Sequence, residues 1–213
     1  MANTQLDGLP SNQLMALTNT QLNGLASAQL AGLAATQLNG LLSVQVASLA
    51  DTQLDGLTAA QLTGLANTQL NGLSSTQLVT LANTQLDALT SIQLTGMANT
   101  QLNGLSSAQF TGLAATQLSG MTSSQLASLS DTQLDALTST QLRSIAGTLL
   151  IGMTSTQLTS LANTQLDGLT SSQLTSLSST QLDVSGVVTN ITRVSVASGG
   201  SQGDSLSNNS FIS

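Results

Sequence analysis

Apolar and polar positions recur in this chain with a fixed interval of eight residues, from Ala2 to Ser185. The unit is seen in Thr58-Ala59-Ala60-Gln61-Leu62-Thr63-Gly64-Leu65, whose positions run 1 to 8. Position 4 is Gln in 22 of 23 octads, with Leu149 the exception. Position 5 is Leu, except for Val46 and Phe110, and position 8 is Leu, Met or Ile in all 22 complete octads. Position 7 is small in those same 22 octads. The octads also alternate. Those starting at residues 2, 18, 34 and onward carry Thr at position 3 all 12 times and Asp or Asn at position 6 in ten of twelve. The intervening ones begin mostly with Ser or Thr and never carry Asp or Asn at position 6. Strict alternation predicts that residues 16 apart share an environment, as in a solenoid with one coil per two octads.

Two secondary structures compete for that coil. Thr-x-x-Gln is a capping-box signature, and apolar residues at positions 5 and 8 share one helical face. Against helices stand the Ala at position 1 in nine of twelve first-type octads and the abundance of Gly, Ser, Thr and Asn. A capping box also accepts Glu, yet position 4 is never Glu. The pattern therefore predicts an all-β fold, a parallel β-solenoid (β-helix) with 16-residue coils made of two octads. A solenoid of short capped helices is the alternative. In β coils stacked at about 4.8 Å, like charges would repel, whereas Gln, Asn and Thr ladders bond to themselves. The expected ladders are Gln5, Gln21, Gln37, Gln53, Gln69, Gln85 and Gln101; Thr4, Thr20, Thr36, Thr52 and Thr68; and Asp7, Asn23, Asn39, Asp55, Asn71 and Asp87. On this reading positions 3 and 5 face inward and positions 2, 4 and 6 outward.

Three segments follow from the pattern. Residues 2–185 form the octad solenoid. Residues 186–196 drop the repeat and predict a C-terminal strand or cap, and residues 197–213 form a Ser/Gly/Asn-rich tail. One octad departs from the rest: Ala146–Met153 places Leu149 and Ile151 where Gln and Asp/Asn normally stand. An exposed apolar pair two residues apart is a candidate contact patch for lateral association.

Composition narrows the chemistry. The 213 residues include nine acidic and two basic ones, with no Lys, Glu, His, Cys, Trp or Tyr. Most general acids, bases, nucleophiles and metal ligands are thus missing, and no base stands ready to activate a hydroxyl. The expectation is no enzyme, no cofactor and no metal site. Asp51/Asp55 and Asp131/Asp135 come nearest to a cation pair, but without the clustering that calcium repeats use. An acidic chain with two Arg cannot neutralise phosphates, so nucleic acid is excluded as a partner. No apolar run is long enough to span a membrane, and no signal peptide precedes the repeat.

The stretch Leu57-Thr58-Ala59-Ala60-Gln61-Leu62-Thr63-Gly64-Leu65 resembles the tandem octapeptide tracts, Leu-Thr-x-x-Gln-Leu-x-x-Leu, of large bacterial secreted and surface proteins. It recurs over 184 of 213 residues. In period and composition the pattern is also similar to the coil of bacterial ice-nucleation proteins, without their Thr-x-Thr rows or tyrosine ladder. The first resemblance implies an extracellular or cell-surface role. The expected function is a non-enzymatic structural protein whose partner is itself, end to end or laterally, in a filament or layer. An ice-binding or other surface-binding module, or the passive stalk of an adhesin, is the alternative.

Overall fold

A computed structural model describes Leu6 and residues 8–182 of the chain. Over these residues each octad folds into one helix of four to six residues, from Ser11–Met15 to Ser179–Leu182. There is no β-strand among the described residues. The β-solenoid and its β-helix coils are therefore corrected: the chain is a helical repeat solenoid, the architecture held as the alternative. The segments 186–196 and 197–213 lie outside the described residues.

Each octad follows one backbone recipe. Position 1 is the N-cap in extended conformation, as at Thr58 (φ −73°, ψ 155°), and the helix runs from position 2 to position 5, 6 or 7. Position 8 is extended again, as at Leu65 (φ −70°, ψ 141°), so two extended residues turn the chain into the next helix. A helix of one turn has almost no internal hydrogen bonds, and in isolation it would melt. Nearly all of its backbone groups are the orphans of a helix end. What holds 22 such helices must therefore come from between octads.

Part of it is apolar. Position 5 near the helix end and the extended residue at position 8 just after it turn to the same side. That face lines a continuous core, with Leu54, Leu62, Leu94 and Phe110 at 0% exposure and Leu57, Leu65, Met97 and Leu113 at 3–4%. Full burial of one such side chain contributes about 1.5–3 kcal/mol.

The turn of the solenoid is longer than two octads. Helices in close contact are three octads apart along the chain. Hydrogen bonds between turns span 25 residues on one side, as Thr111 Oγ1 to the Ala136 carbonyl (2.9 Å), and 28 to 31 on the other, as Gln61 Nε2 to Leu33 and Leu30. One turn therefore takes between three and four octads. Residues 16 apart lie on different sides of the superhelix, and like octads stack only every fourth octad, at a separation of 32. That is why the period doubles without the coil being 16 residues long.

The same packing explains the small residue at position 7. Its backbone is right-handed helical, as at Gly56 (φ −73°, ψ −13°), so glycine is not supplying a positive φ. It supplies closeness: a Cβ on Gly56 would lie 2.7 Å from the Ser27 Cβ, and one on Gly64 2.7 Å from the Ala35 Cβ. Position 7 of one octad thus rests on position 2 of the octad three before it. The aberrant octad has glycine on both sides of this contact: a Cβ on Gly152 at position 7 would lie 2.9 Å from the Ser123 Cβ, and one on Gly147 at position 2 would lie 2.5 Å from Ser176 Oγ at position 7.

Candidate functional site

The conspicuous polar feature is a buried lattice of glutamine side chains, two to six per cent exposed from Gln45 onward at most octads. Burying a primary amide is unfavourable unless all its hydrogen-bonding capacity is used. Here both ends are used. Gln61 Oε1 accepts from the backbone N–H of Thr58 at 2.8 Å, which closes one orphan donor of its own helix. Gln61 Nε2 donates to the carbonyls of Leu30 (2.8 Å) and Leu33 (2.6 Å) at the end of a helix one turn earlier, of which Leu30 also accepts from the Leu33 N–H.

The arrangement repeats at Gln69, whose Nε2 reaches Leu38 and Leu41 at 3.0 and 2.6 Å. At Gln101 the same atom reaches Leu70 and Leu73 at 2.9 and 2.7 Å. At Gln141 the acceptors are Phe110 and Leu113, at 2.9 and 2.7 Å. One amide therefore caps the start of one helix and the end of another. No buried side-chain polar atom lacks a partner among the described residues.

This double duty supplies the reason for glutamine. A glutamate could serve its own N-cap but has no N–H to offer the carbonyls of the previous turn, and asparagine is one methylene shorter. The absence of Glu, which sequence reasoning counted against capping boxes, marks a capping box with a second task. Where position 1 is Thr or Ser the box is complete: Thr58 Oγ1 accepts from the Gln61 N–H at 3.2 Å. Where position 1 is Ala, as at Ala98, only the glutamine half exists, with Ala98 N–H donating to Gln101 Oε1 at 3.0 Å.

The other predicted residues fall as follows. Gln53, Gln69, Gln85 and Gln101 are buried members of this lattice rather than an outward ladder, Gln37 is half-buried and Gln21 exposed. Thr20, Thr36, Thr52 and Thr68 are exposed rather than inward-facing. Asn23, Asn39, Asp55, Asn71 and Asp87 are also exposed. Gln5, Thr4 and Asp7 lie outside the described residues. Leu149 is half-buried against the core, and Ile151 is 50% exposed, so the two do not form one outward pair.

No group of three or more potential metal ligands occurs among the described residues. Asp51, Asp55, Asp131 and Asp135 are all exposed. A shallow open depression lined by Asn67, Ser91, Ile92, Thr95, Gly96 and Gly120 holds no titratable side chain. No helix among the described residues is long and apolar enough to cross a membrane.

Sequence reasoning missed one functional role altogether, that of the backbone carbonyls at positions 5 and 8. They carry no side-chain signature, so only the invariance of the donor could have pointed to them. No protein-family model matches the chain, and no curated protein matches it significantly.

Proposed function

We propose that this chain is a non-enzymatic structural repeat protein that associates with copies of itself into a filament or layer, outside the cell or at its surface. The observation that supports self-association is the polarity of the glutamine lattice. Every turn offers amide donors toward the turn before it and carbonyl acceptors toward the turn after it, a contact that repeats without an internal limit. The surface assignment rests on the resemblance of Leu57–Leu65 to octapeptide tracts of secreted and surface proteins. Ice binding is less favoured, because its flat Thr and Gln arrays are replaced by buried glutamines and by threonines carried around a superhelix. Electron microscopy and sedimentation of the purified full chain over a concentration series test the reading. Ordered filaments or sheets are expected, and a monodisperse monomer at high concentration would contradict it.

A further inference from the structure

Positions 6 and 7 together spell Asn-Gly four times, at Asn23-Gly24, Asn39-Gly40, Asn71-Gly72 and Asn103-Gly104. All four asparagines are exposed. The dipeptide carries its own chemistry. The glycine nitrogen attacks the asparagine Cγ and closes a five-membered imide, while the Cγ–Nδ2 bond breaks and ammonia leaves with the amide proton. Water then opens the imide at either carbonyl, giving aspartate or isoaspartate. Glycine hinders this attack least, since it has no side chain. Packing demands glycine here: a Cβ on Gly40 would lie 2.5 Å from the Ser11 Cβ, and one on Gly72 2.9 Å from the Ser43 carbonyl oxygen.

Two restraints oppose the reaction. One is local. Ring closure needs the Cα–Cβ and C–N bonds of the asparagine to eclipse, and the helical backbone holds them apart, as at Asn71 (φ −66°, ψ −18°). The glycine N–H is also engaged, Gly72 with the Gln69 carbonyl at 3.1 Å and Gly40 with the Gln37 carbonyl at 3.2 Å. The other restraint comes from the next turn. Gln101 Nε2 holds the Leu70 and Leu73 carbonyls, on either side of Asn71-Gly72. Gln133 Nε2 holds those of Leu102 and Leu105, and also reaches the Asn103 carbonyl at 3.2 Å. Gln53 and Gln69 bracket Asn23 and Asn39 in the same way. The rotation that closes the ring has to break such a rung first.

The aberrant octad supplies an independent observation. Leu149 stands where a glutamine would reach the carbonyls of Leu118 and Met121. Between those two carbonyls position 6 is Ser119, neither Asn nor Asp, although Gly120 still follows it. Serine has no side-chain carbonyl and forms no imide. Where the rung is missing, the reactive residue beneath it is missing too.

From this we infer that Asn23, Asn39, Asn71 and Asn103 are sites of spontaneous imide-mediated modification, which the glutamine lattice keeps closed and loss of a rung opens. An isoaspartyl link adds one methylene to the main chain between two carbonyls that a single amide bridges. A rung lost in this way does not re-form. Local opening of a turn is thereby recorded as a covalent change, whether or not the chain assembles.

The test is Ser119→Asn, at an exposed position. It places Asn-Gly in an octad that keeps its other restraints: the Gly120 N–H donates to the Gln117 carbonyl at 3.2 Å, and the Gly120 carbonyl accepts from Thr95 Oγ1. Only the rung is absent. The full chain is incubated at mildly alkaline pH, and peptide mass spectrometry reads replacement of NH₂ by OH at each site. The introduced asparagine should react about tenfold faster or more than Asn71 and Asn103 in the same molecules. In strong urea all five sites should react alike. Reciprocally, Gln101→Leu should speed Asn71 while Asn23 and Asn103 keep their wild-type rates. An introduced asparagine as slow as Asn71 in the folded chain overturns the inference and leaves the local helix as the restraint. So does a Gln101→Leu chain of native circular dichroism in which Asn71 reacts no faster than before.

Discussion

The octads Ser130–Leu137 and Ala146–Met153 are both of the first type, and they differ in one residue that matters. In the former, Gln133 Oε1 accepts from the Ser130 N–H at 3.0 Å, and Nε2 donates to the carbonyls of Leu102 and Leu105 at 3.1 and 2.7 Å. In the latter, Leu149 stands at that position, and no glutamine serves the carbonyls of Leu118 and Met121. The apolar half is unaffected: Leu150 is 0% and Met153 3% exposed, much like Leu134 and Leu137. The aberrant octad is still capped from above, since Gln181 Nε2 reaches Leu150 and Met153 at 3.1 and 2.8 Å. Its helix runs over Gly147–Leu150, the same four-residue length as Asn67–Leu70 and Asn163–Leu166, where the glutamine is present. The leucine core therefore tolerates a missing rung when the turns on either side keep theirs. Glutamine contributes the capping of helix ends and the match between turns.

That difference can be broken or sharpened at single positions. The largest effect is expected for Gln133→Glu, which keeps the N-cap contact through one oxygen but places the other carboxylate oxygen, without a donor, against two buried carbonyls. Urea unfolding should show a loss of about 3–5 kcal/mol at neutral pH. Burial of its second oxygen against carbonyl dipoles raises the carboxyl pKa of that glutamate in the folded state. The deficit should accordingly be full above that raised value and shrink as the pH falls toward the unfolded value near ~4.3. Protonation restores an O–H donor. A deficit that grows on acidification would contradict the assigned geometry.

Gln133→Leu, which copies the aberrant octad into a regular one, should cost about 1–3 kcal/mol by leaving the Leu105 carbonyl and the Ser130 N–H unserved and the Leu102 carbonyl with only the Leu105 N–H. The reverse change, Leu149→Gln, should stabilise the chain by about 1 kcal/mol if the amide reaches Leu118 and Met121. Least is expected of Ser130→Ala. It removes only the hydroxyl half of the box, where Ser130 Oγ accepts from Gln133 N–H at 3.3 Å, and should cost ~1 kcal/mol or less. An unfolding series in which Ser130→Ala exceeds Gln133→Leu would reverse the assignment of the lattice's weight.

Much of this was legible in the sequence. The octad, the apolar positions 5 and 8 and the small position 7 are plain in the residues, and the capping box is spelled out by Thr58 and Gln61. Secondary structure was not. The missing Glu pointed toward β ladders because the second partner of each glutamine is a backbone carbonyl 28 or 31 residues earlier, which leaves no mark in the sequence. The turn length was misread for a related reason. Alternation every 16 residues looks like a coil, but between three and four octads make a turn, so like octads meet only every 32. Thr20, Thr36 and Thr52 were placed inside because alternation along a strand demanded it; on a helix, position 3 points away from the face shared by positions 5 and 8.

The central claim is that buried glutamine amides join successive turns, and hydrogen exchange of the glutamine side-chain NH₂ groups by NMR tests it most directly. Exchange far slower than that of free glutamine is predicted for interior residues such as Gln61, Gln101 and Gln141. Uniformly fast exchange along the whole chain would contradict it.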